Sequence, residues 1–226
     1  MGDLKGKDFF ASWSGGKDSC LALYRAIRQG GRPRRLLTMF GDDGEKSKSH
    51  ALSREIIQAQ ADALGIPVEI GSASWDDYEA RFLEHLAGLK ADGLGDGVFG
   101  DIDLLPHRQW VEKVCDKHGI TPHLPLWQEE RRKLVGEFIE AGFVAMIVVV
   151  EDKRLDRSFL GRRIDWPTIE ALEAAGADAC GEEGEYHSLV IDGPLFSSAL
   201  NLQTGAIVGH GGYSFLETAL ETEKKN

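Results

Sequence analysis

With 226 residues and 42% apolar content, the chain is long enough to bury a sizeable core, as one large domain or two small ones. No window approaches the roughly 18 uninterrupted apolar residues of a membrane span, and the opening MGDLKGKD lacks the apolar core of a secretory signal, so a soluble cytoplasmic protein is expected. The formal net charge of −11 opposes direct nucleic-acid binding, which rests on clustered Lys and Arg, and Cys20, Cys115 and Cys180 suggest neither a disulfide framework nor a zinc ribbon. The local basic stretches, Arg131 to Lys133 and Lys153 to Arg163, read as solvated faces.

In chain order, Asp8 to Trp13 reads as a short buried strand. Asp18 to Gln29 follows as a helix with Leu21, Leu23, Tyr24 and Ile27 on one side, stopped by Gly30-Gly31. Leu36 to Phe40 predicts a second strand, and His50 to Leu64 a helix with Leu52, Ile56, Ile57 and Leu64 inward, closed by Gly65. Pro67 to Ile70 is a third strand. The next helix runs from Trp75 to Lys90 behind a Ser74–Asp77 capping box. Gly97 to Gly100 is a fourth, brief strand, and Asp103 stands where it would cap the helix that carries Trp110, Val111, Val114 and Cys115. Alternating helices and continuous apolar strands imply a parallel sheet covered on both faces, an α/β fold of Rossmann-like type.

The texture changes after TPHLPLW. A helix from Glu129 to Glu140 and the run FVAMIVVV (143–150) read as one more β-α element. Beyond it the chain turns glycine-rich, with a strand from His187 to Ile191 and a hairpin around Gln203-Thr204-Gly205. This region is expected to form a smaller α+β lobe, with the division at 1–123 and 124–226, and the tail ETEKKN is expected to fray.

The corner Ser14-Gly15-Gly16-Lys17-Asp18-Ser19 lies where the first strand gives way to the first helix. Free backbone N–H groups and a partial positive charge gather there, so the corner favours an anion. Glycines let a phosphate approach, hydroxyls at 14 and 19 add donors, and Lys17 adds a full charge. The Walker spacing fails because Asp18 follows Lys17, and the dinucleotide pattern lacks its third glycine. SGGKDS instead resembles the pyrophosphate loop of the N-type ATP pyrophosphatases, with the signature S-G-G-x-D-S. That resemblance implies an adenine nucleotide alpha hydrolase-like fold and ATP cut between its α and β phosphates. The implied nucleotide contacts are Ser12, Ser14, Gly15, Gly16, Lys17, Asp18 and Ser19.

GDID (100–103) puts Gly100 and Asp101 at the carboxyl end of the fourth strand, on the sheet edge where open α/β sheets bind ligands. Asp101, together with Asp18, is the candidate pair for holding Mg²⁺. In CGEEGEYHSLVIDGP (180–194), Glu185 and His187 lie two apart in a predicted strand and would share a face, so both are candidates to orient an amine or a carboxyl group. Cys180 reads as structural in preference to nucleophilic, for nothing beside it in sequence lowers a thiol pKa.

SWSGGKDS, GDID with the following R..WVE.VC, PLW (125–127), LGR (160–162) and CGE.GEYHSLV.DGPLF together resemble the diphthine–ammonia ligases and their uncharacterised relatives, in order and along nearly the whole chain. Glu183 is a mild departure on the substrate side. The family resemblance implies an ATP-binding first lobe, a substrate-binding second lobe and an AMP-forming ligase. Its catalytic residues would be Lys17, Asp18, Glu185 and His187, with ATP, Mg²⁺ and free ammonia as reactants. The acceptor carboxylate would be diphthine on elongation factor 2 or a small molecule. A transfer-RNA-modifying ATP pyrophosphatase and a non-catalytic nucleotide sensor are the other readings. A homodimer would be unsurprising.

Overall fold

A computed structural model describes residues 3–48 and 50–221, so the expectation for the tail from 222 onward lies outside the described residues. The first half builds a five-stranded, fully parallel sheet in the order β3-β2-β1-β4-β5. Its strands are β1 (Asp8–Ser12), β2 (Arg32–Phe40), β3 (Val68–Ser72), β4 (Asp96–Val98) and β5 (Thr121–His123). Alternate residues of β1 serve opposite faces, as the pleat requires. Phe9 enters the core under α1 (Lys17–Arg28) and α2 (Arg54–Leu64), and Phe10 the core under α3 (Tyr78–Ala91) and α4 (Leu105–Asp116). Strand order reverses between β1 and β4, and the carboxyl ends of those two strands open the crevice that such a switch creates.

The second half builds a separate antiparallel sheet, β7-β6-β9-β8, from β6 (Val144–Glu151), β7 (Tyr186–Asp192), β8 (Leu202–His210) and β9 (Tyr213–Leu220). Helices α5 (Arg131–Glu140) and α6 (Trp166–Ala174) complete it. FVAMIVVV is thus a central strand of this sheet and no extension of the parallel one: a run of apolar residues reports burial on both faces, which either kind of sheet can supply. One apolar core runs through both halves, from Phe9, Leu21 and Leu36 to Phe138, Ile147 and Leu189.

Several boundaries differ from the sequence reading. The second helix starts at Arg54, where the Ser53 hydroxyl accepts the Ile56 N–H, and residues 50–53 form a turn instead. Asp103 caps nothing; it makes a two-pronged ion pair with Arg131, and α4 begins behind Leu104. β5 escaped notice because Pro122 argues against a strand, yet β5 lies at the sheet edge, where a missing N–H costs no ladder bond. The hairpin turns at Gly211-Gly212, both at positive φ, and Gly205 sits in the irregular stretch of β8 between Thr204 and Ile207.

The two halves meet at Gln60. Its side chain is fully buried, accepts the Trp13 indole N–H at 2.9 Å, and donates to the Gly15 carbonyl at 3.0 Å and the Val190 carbonyl at 2.7 Å. Val190 in turn donates its N–H to the Gly15 carbonyl at 2.9 Å, so β7 is bonded directly to the glycine corner. Gln60→Leu would leave the Trp13 indole N–H without its acceptor and take the amide donor from the Val190 and Gly15 carbonyls, of which Gly15 keeps the Val190 N–H. Denaturant unfolding should show a loss of about 3 kcal/mol, since each buried orphan costs about 1–3 kcal/mol.

Candidate active site

Residues 14–19 wrap the carboxyl end of β1 into the first turn of α1. Gly15 takes a left-handed φ of 81°, and a Cβ on it would stand 2.6 Å from Leu52 Cδ1. The serines hold the turn: the hydroxyls of Ser14 and Ser19 are 3.0 Å apart, Gly16 donates its N–H to Ser14 Oγ at 3.3 Å, and Ser19 Oγ donates to the Gly16 carbonyl at 3.1 Å. Lys17 donates its N–H to Ser188 Oγ of β7 at 3.2 Å. Gly16, at the N-cap of α1, offers no side chain; with the Lys17 N–H taken by Ser188, the N–H groups that follow it in the first turn are the ones left for a ligand.

The cleft in front of this turn has a volume of about 520 Å³. Ser12, Ser14, Lys17, Asp18 and Ser19 line one side, Gly100 and Asp101 a second, and Glu182 and His187 a third. The structure therefore brings the two distant sequence stretches together at the glycine corner. Gly15 and Gly16 lie beneath it, covered by Leu52 and His50. Gly100 has a steric reason: a Cβ there would come 2.9 Å from the Ser19 nitrogen and 3.0 Å from the Asp18 carbonyl carbon. A smaller cavity, lined by Trp13, Thr38, Met39 and Tyr78, shares Ser12, Ser14 and His50 with the cleft.

Lys17 is 4% exposed, with its ammonium 2.8 Å from Asp18 Oδ2, hydrogen-bonded to the Cys180 carbonyl and 5.1 Å from the centre of the Tyr186 ring. Burial opposes the charge, but Asp18 outweighs it with its neighbours' help and keeps the ammonium pKa well above its usual value. Burial raises the Asp18 carboxyl and the Lys17 charge draws it back. Burial, reinforced by Asp18, pushes Glu182 up to about 8, against the pull of Lys17. Burial lowers His187 to about 4 and His50 to about 3, so both imidazoles are neutral bases at physiological pH.

Glu185 is a correction. Its side chain is 2% exposed and points into the loop, where it accepts N–H bonds from Asp178 at 3.4 Å and Glu183 at 3.1 Å and pairs with Arg154 at 3.2 Å. Glu185 precedes β7, so the alternation that would have put it beside His187 does not apply. Asp178 works with it, accepting from the N–H groups of Cys180, Gly181 and Glu182 at 2.7, 3.0 and 2.8 Å. These two carboxylates fold the loop so that Glu182 faces the cleft and the Cys180 carbonyl faces Lys17. Glu183 is exposed and paired with Arg154. Cys180 is buried, burial raises its thiol pKa, and its Sγ donates to the Arg131 carbonyl at 3.1 Å.

Sequence reasoning missed His50, His107 and Tyr186. His107 lies 3.5 Å from Asp101, whose carboxylate raises the imidazole pKa. Tyr186 donates its hydroxyl to the Ala179 carbonyl at 2.7 Å and lays its ring beside Lys17.

Among the described residues, no three His, Cys, Asp or Glu side chains converge closely enough to cage a metal by themselves. Asp18 and Asp101 on one cleft nevertheless fit Mg²⁺, which takes one or two carboxylates and fills its remaining positions with phosphate oxygens and water.

Two outcomes follow from this geometry. Gly100→Ala should leave cooperative unfolding intact and weaken ATP binding at least tenfold, about 1.4 kcal/mol, in calorimetry, because its methyl displaces the start of α1. Glu182 holds its proton more tightly in the fold than in the unfolded chain, so stability should fall as pH rises from the ordinary carboxyl range toward about 8. Glu182→Gln should flatten that slope in thermal melts across the same range.

The family model for the diphthamide synthase N-terminal domain matches residues 8–122, and that for the diphthamide synthase C-terminal domain matches 130–222. The diphthine–ammonia ligase of Schizosaccharomyces pombe is 27% identical over 224 residues, covering 87% of this chain; the chain spans only 36% of that relative's length. The Rattus norvegicus enzyme of the same name is 28% identical over 232 residues, and the Homo sapiens one 27% over 231, each alignment covering 91% of this chain and 86% of the relative. Among solved structures, a predicted subunit of tRNA methyltransferase from Methanocaldococcus jannaschii aligns with a TM-score of 0.44 at 16% identity, over 83% of this chain and 98% of that one. No helix among the described residues is long and apolar enough to cross a membrane. With two family models laid end to end along it, the chain belongs to the diphthamide synthase family.

Proposed function

We propose that this protein is an AMP-forming ligase that adenylates an acceptor carboxylate and converts it to an amide with ammonia, the acceptor being diphthine on elongation factor 2. One observation carries the reading. The buried Lys17 ammonium lies just past the end of β1, where a strand, a glycine turn and the start of α1 meet on one wall of the cleft. The polyphosphate goes there, and the nucleoside extends into the adjoining cavity beside Trp13, Met39 and Tyr78. Residues 1–123 then serve the nucleotide and 124–226 the acceptor.

The acceptor carboxylate oxygen attacks the α phosphorus, and the bridge oxygen leaves with pyrophosphate. The Lys17 ammonium and the N–H groups that follow Lys17 in the first turn of α1 stabilise the negative charge that grows on it. Asp18 and Asp101 would hold Mg²⁺, which when bound neutralises phosphate oxygens. Nitrogen then attacks the acyl carbon of the adenylate, AMP departs, and neutral His187 on the cleft wall accepts the proton the nitrogen sheds. The three buried free thiols suit a reducing cytosol.

Lys17→Ala should slow AMP and pyrophosphate release at least a hundredfold, since one donor to charge developing in a transition state is worth about 3 kcal/mol. Formation of ADP and phosphate by the unaltered protein would end the scheme.

A further inference from the structure

His50 has no part in those steps, yet its imidazole occupies the point where three cavities meet. It lines the phosphate cleft, the cavity beside Trp13, and a third hollow of about 340 Å³ between Lys46, residues 50–53 and the β8–β9 hairpin. Among the described residues, His50 alone lines both the third hollow and the phosphate cleft. Gln203, Thr204 and Thr218 give the hollow polar groups that can hold water on the far side of the ring.

The ring is held from several directions. Its Nδ1–H donates to the Ser188 carbonyl at 2.7 Å, its centroid is 4.8 Å from that of His187, and Cε1 covers Gly16 so closely that a Cβ there would stand 2.3 Å away. Behind it, Ala51 adopts a left-handed φ of 53°, a conformation that costs an alanine free energy. Ser47 holds that turn in place: its carbonyl accepts the Ala51 N–H and its hydroxyl the Leu52 N–H, each at 3.0 Å. Strain kept by its surroundings points to a position whose geometry is used.

We propose that His50 is a positioning residue that seals one side of the reaction cleft, its ring standing between the third hollow and the cleft so that water from that side does not reach the acyl adenylate. This rests on the ligase reading above. With that side closed, the nitrogen of ammonia attacks the acyl carbon, and the bond from that carbon to the AMP oxygen breaks with its electron pair on the phosphate. The nitrogen sheds one proton, and amide and AMP form in equal amounts. With that side open, water oxygen attacks the same carbon and the same bond breaks, returning the free carboxylate with AMP and a proton. AMP forms on both routes and amide on only one, so their ratio reads the seal however much of the protein is folded.

The experiment mixes the full-length protein with ATP, ammonium chloride and elongation factor 2 carrying diphthine, and counts AMP and amide. The unaltered protein should give a ratio near one. His50→Ala removes the ring, and His50→Asn keeps a donor toward Ser188 while losing the outer ring; both should raise the ratio at least about twofold, since a closed site suppresses hydrolysis of reactive intermediates. His50→Phe, which restores a ring, should bring it back toward one. Ratios near one in the Ala and Asn variants would overturn the seal alone. No acceptor-dependent AMP from the unaltered protein would bring down the ligase reading and this inference together.

Discussion

A buried ammonium must find negative or polar partners, and those of Lys17 come from both halves of the chain. Asp18 supplies charge from the next position in sequence. The Cys180 carbonyl and the Tyr186 ring arrive from the loop and strand of the second sheet. The start of α1 adds its own partial positive charge to the same place. Two positive features therefore converge on a cleft whose rim carries Asp101 and Glu182. This balance explains why β7 is bonded to the glycine corner through Gly15, Lys17 and Gln60: the second sheet supplies the solvation that burial takes from the lysine.

The acidic loop before β7 shows how position decides what a carboxylate does. Glu185 and Asp178 turn inward and consume their lone pairs on backbone N–H groups, so they set the shape of the loop. Glu182 faces the cleft, where burial raises its pKa and the charge of Asp18 adds to the effect. Glu183 reaches solvent and pairs with Arg154. Gly181 and Gly184, at φ of 67° and 86°, let the backbone turn tightly enough to separate these three directions within a few residues.

Much of the first half was legible because its signals are local. Apolar runs, glycine stops and the rule that ligands sit at the carboxyl ends of parallel strands bring SGGKDS and GDID together without knowledge of any contact. What escaped depends on partners far away in sequence. His50 is tied to Ser188 across 138 positions, and nothing near His50 announces that bond. Gln60 reads as an ordinary polar position on a helix, yet it joins residues 13, 15 and 190. Glu185 and His187 looked equivalent by alternation, but the strand starts between them, at Tyr186. The hairpin was misplaced because glycine marks both bulges and turns, and only the pairing of β8 with β9 tells them apart.

The apolar core that runs from Phe9 and Leu36 to Ile147 and Leu189 without interruption bears on how reactants come and go. A clam-like swing of two lobes joined in that way would wet aliphatic surface that the fold keeps dry, and that cost opposes it. The cheapest way in and out for reactants is therefore the open mouth of the crevice, with the two sheets kept together.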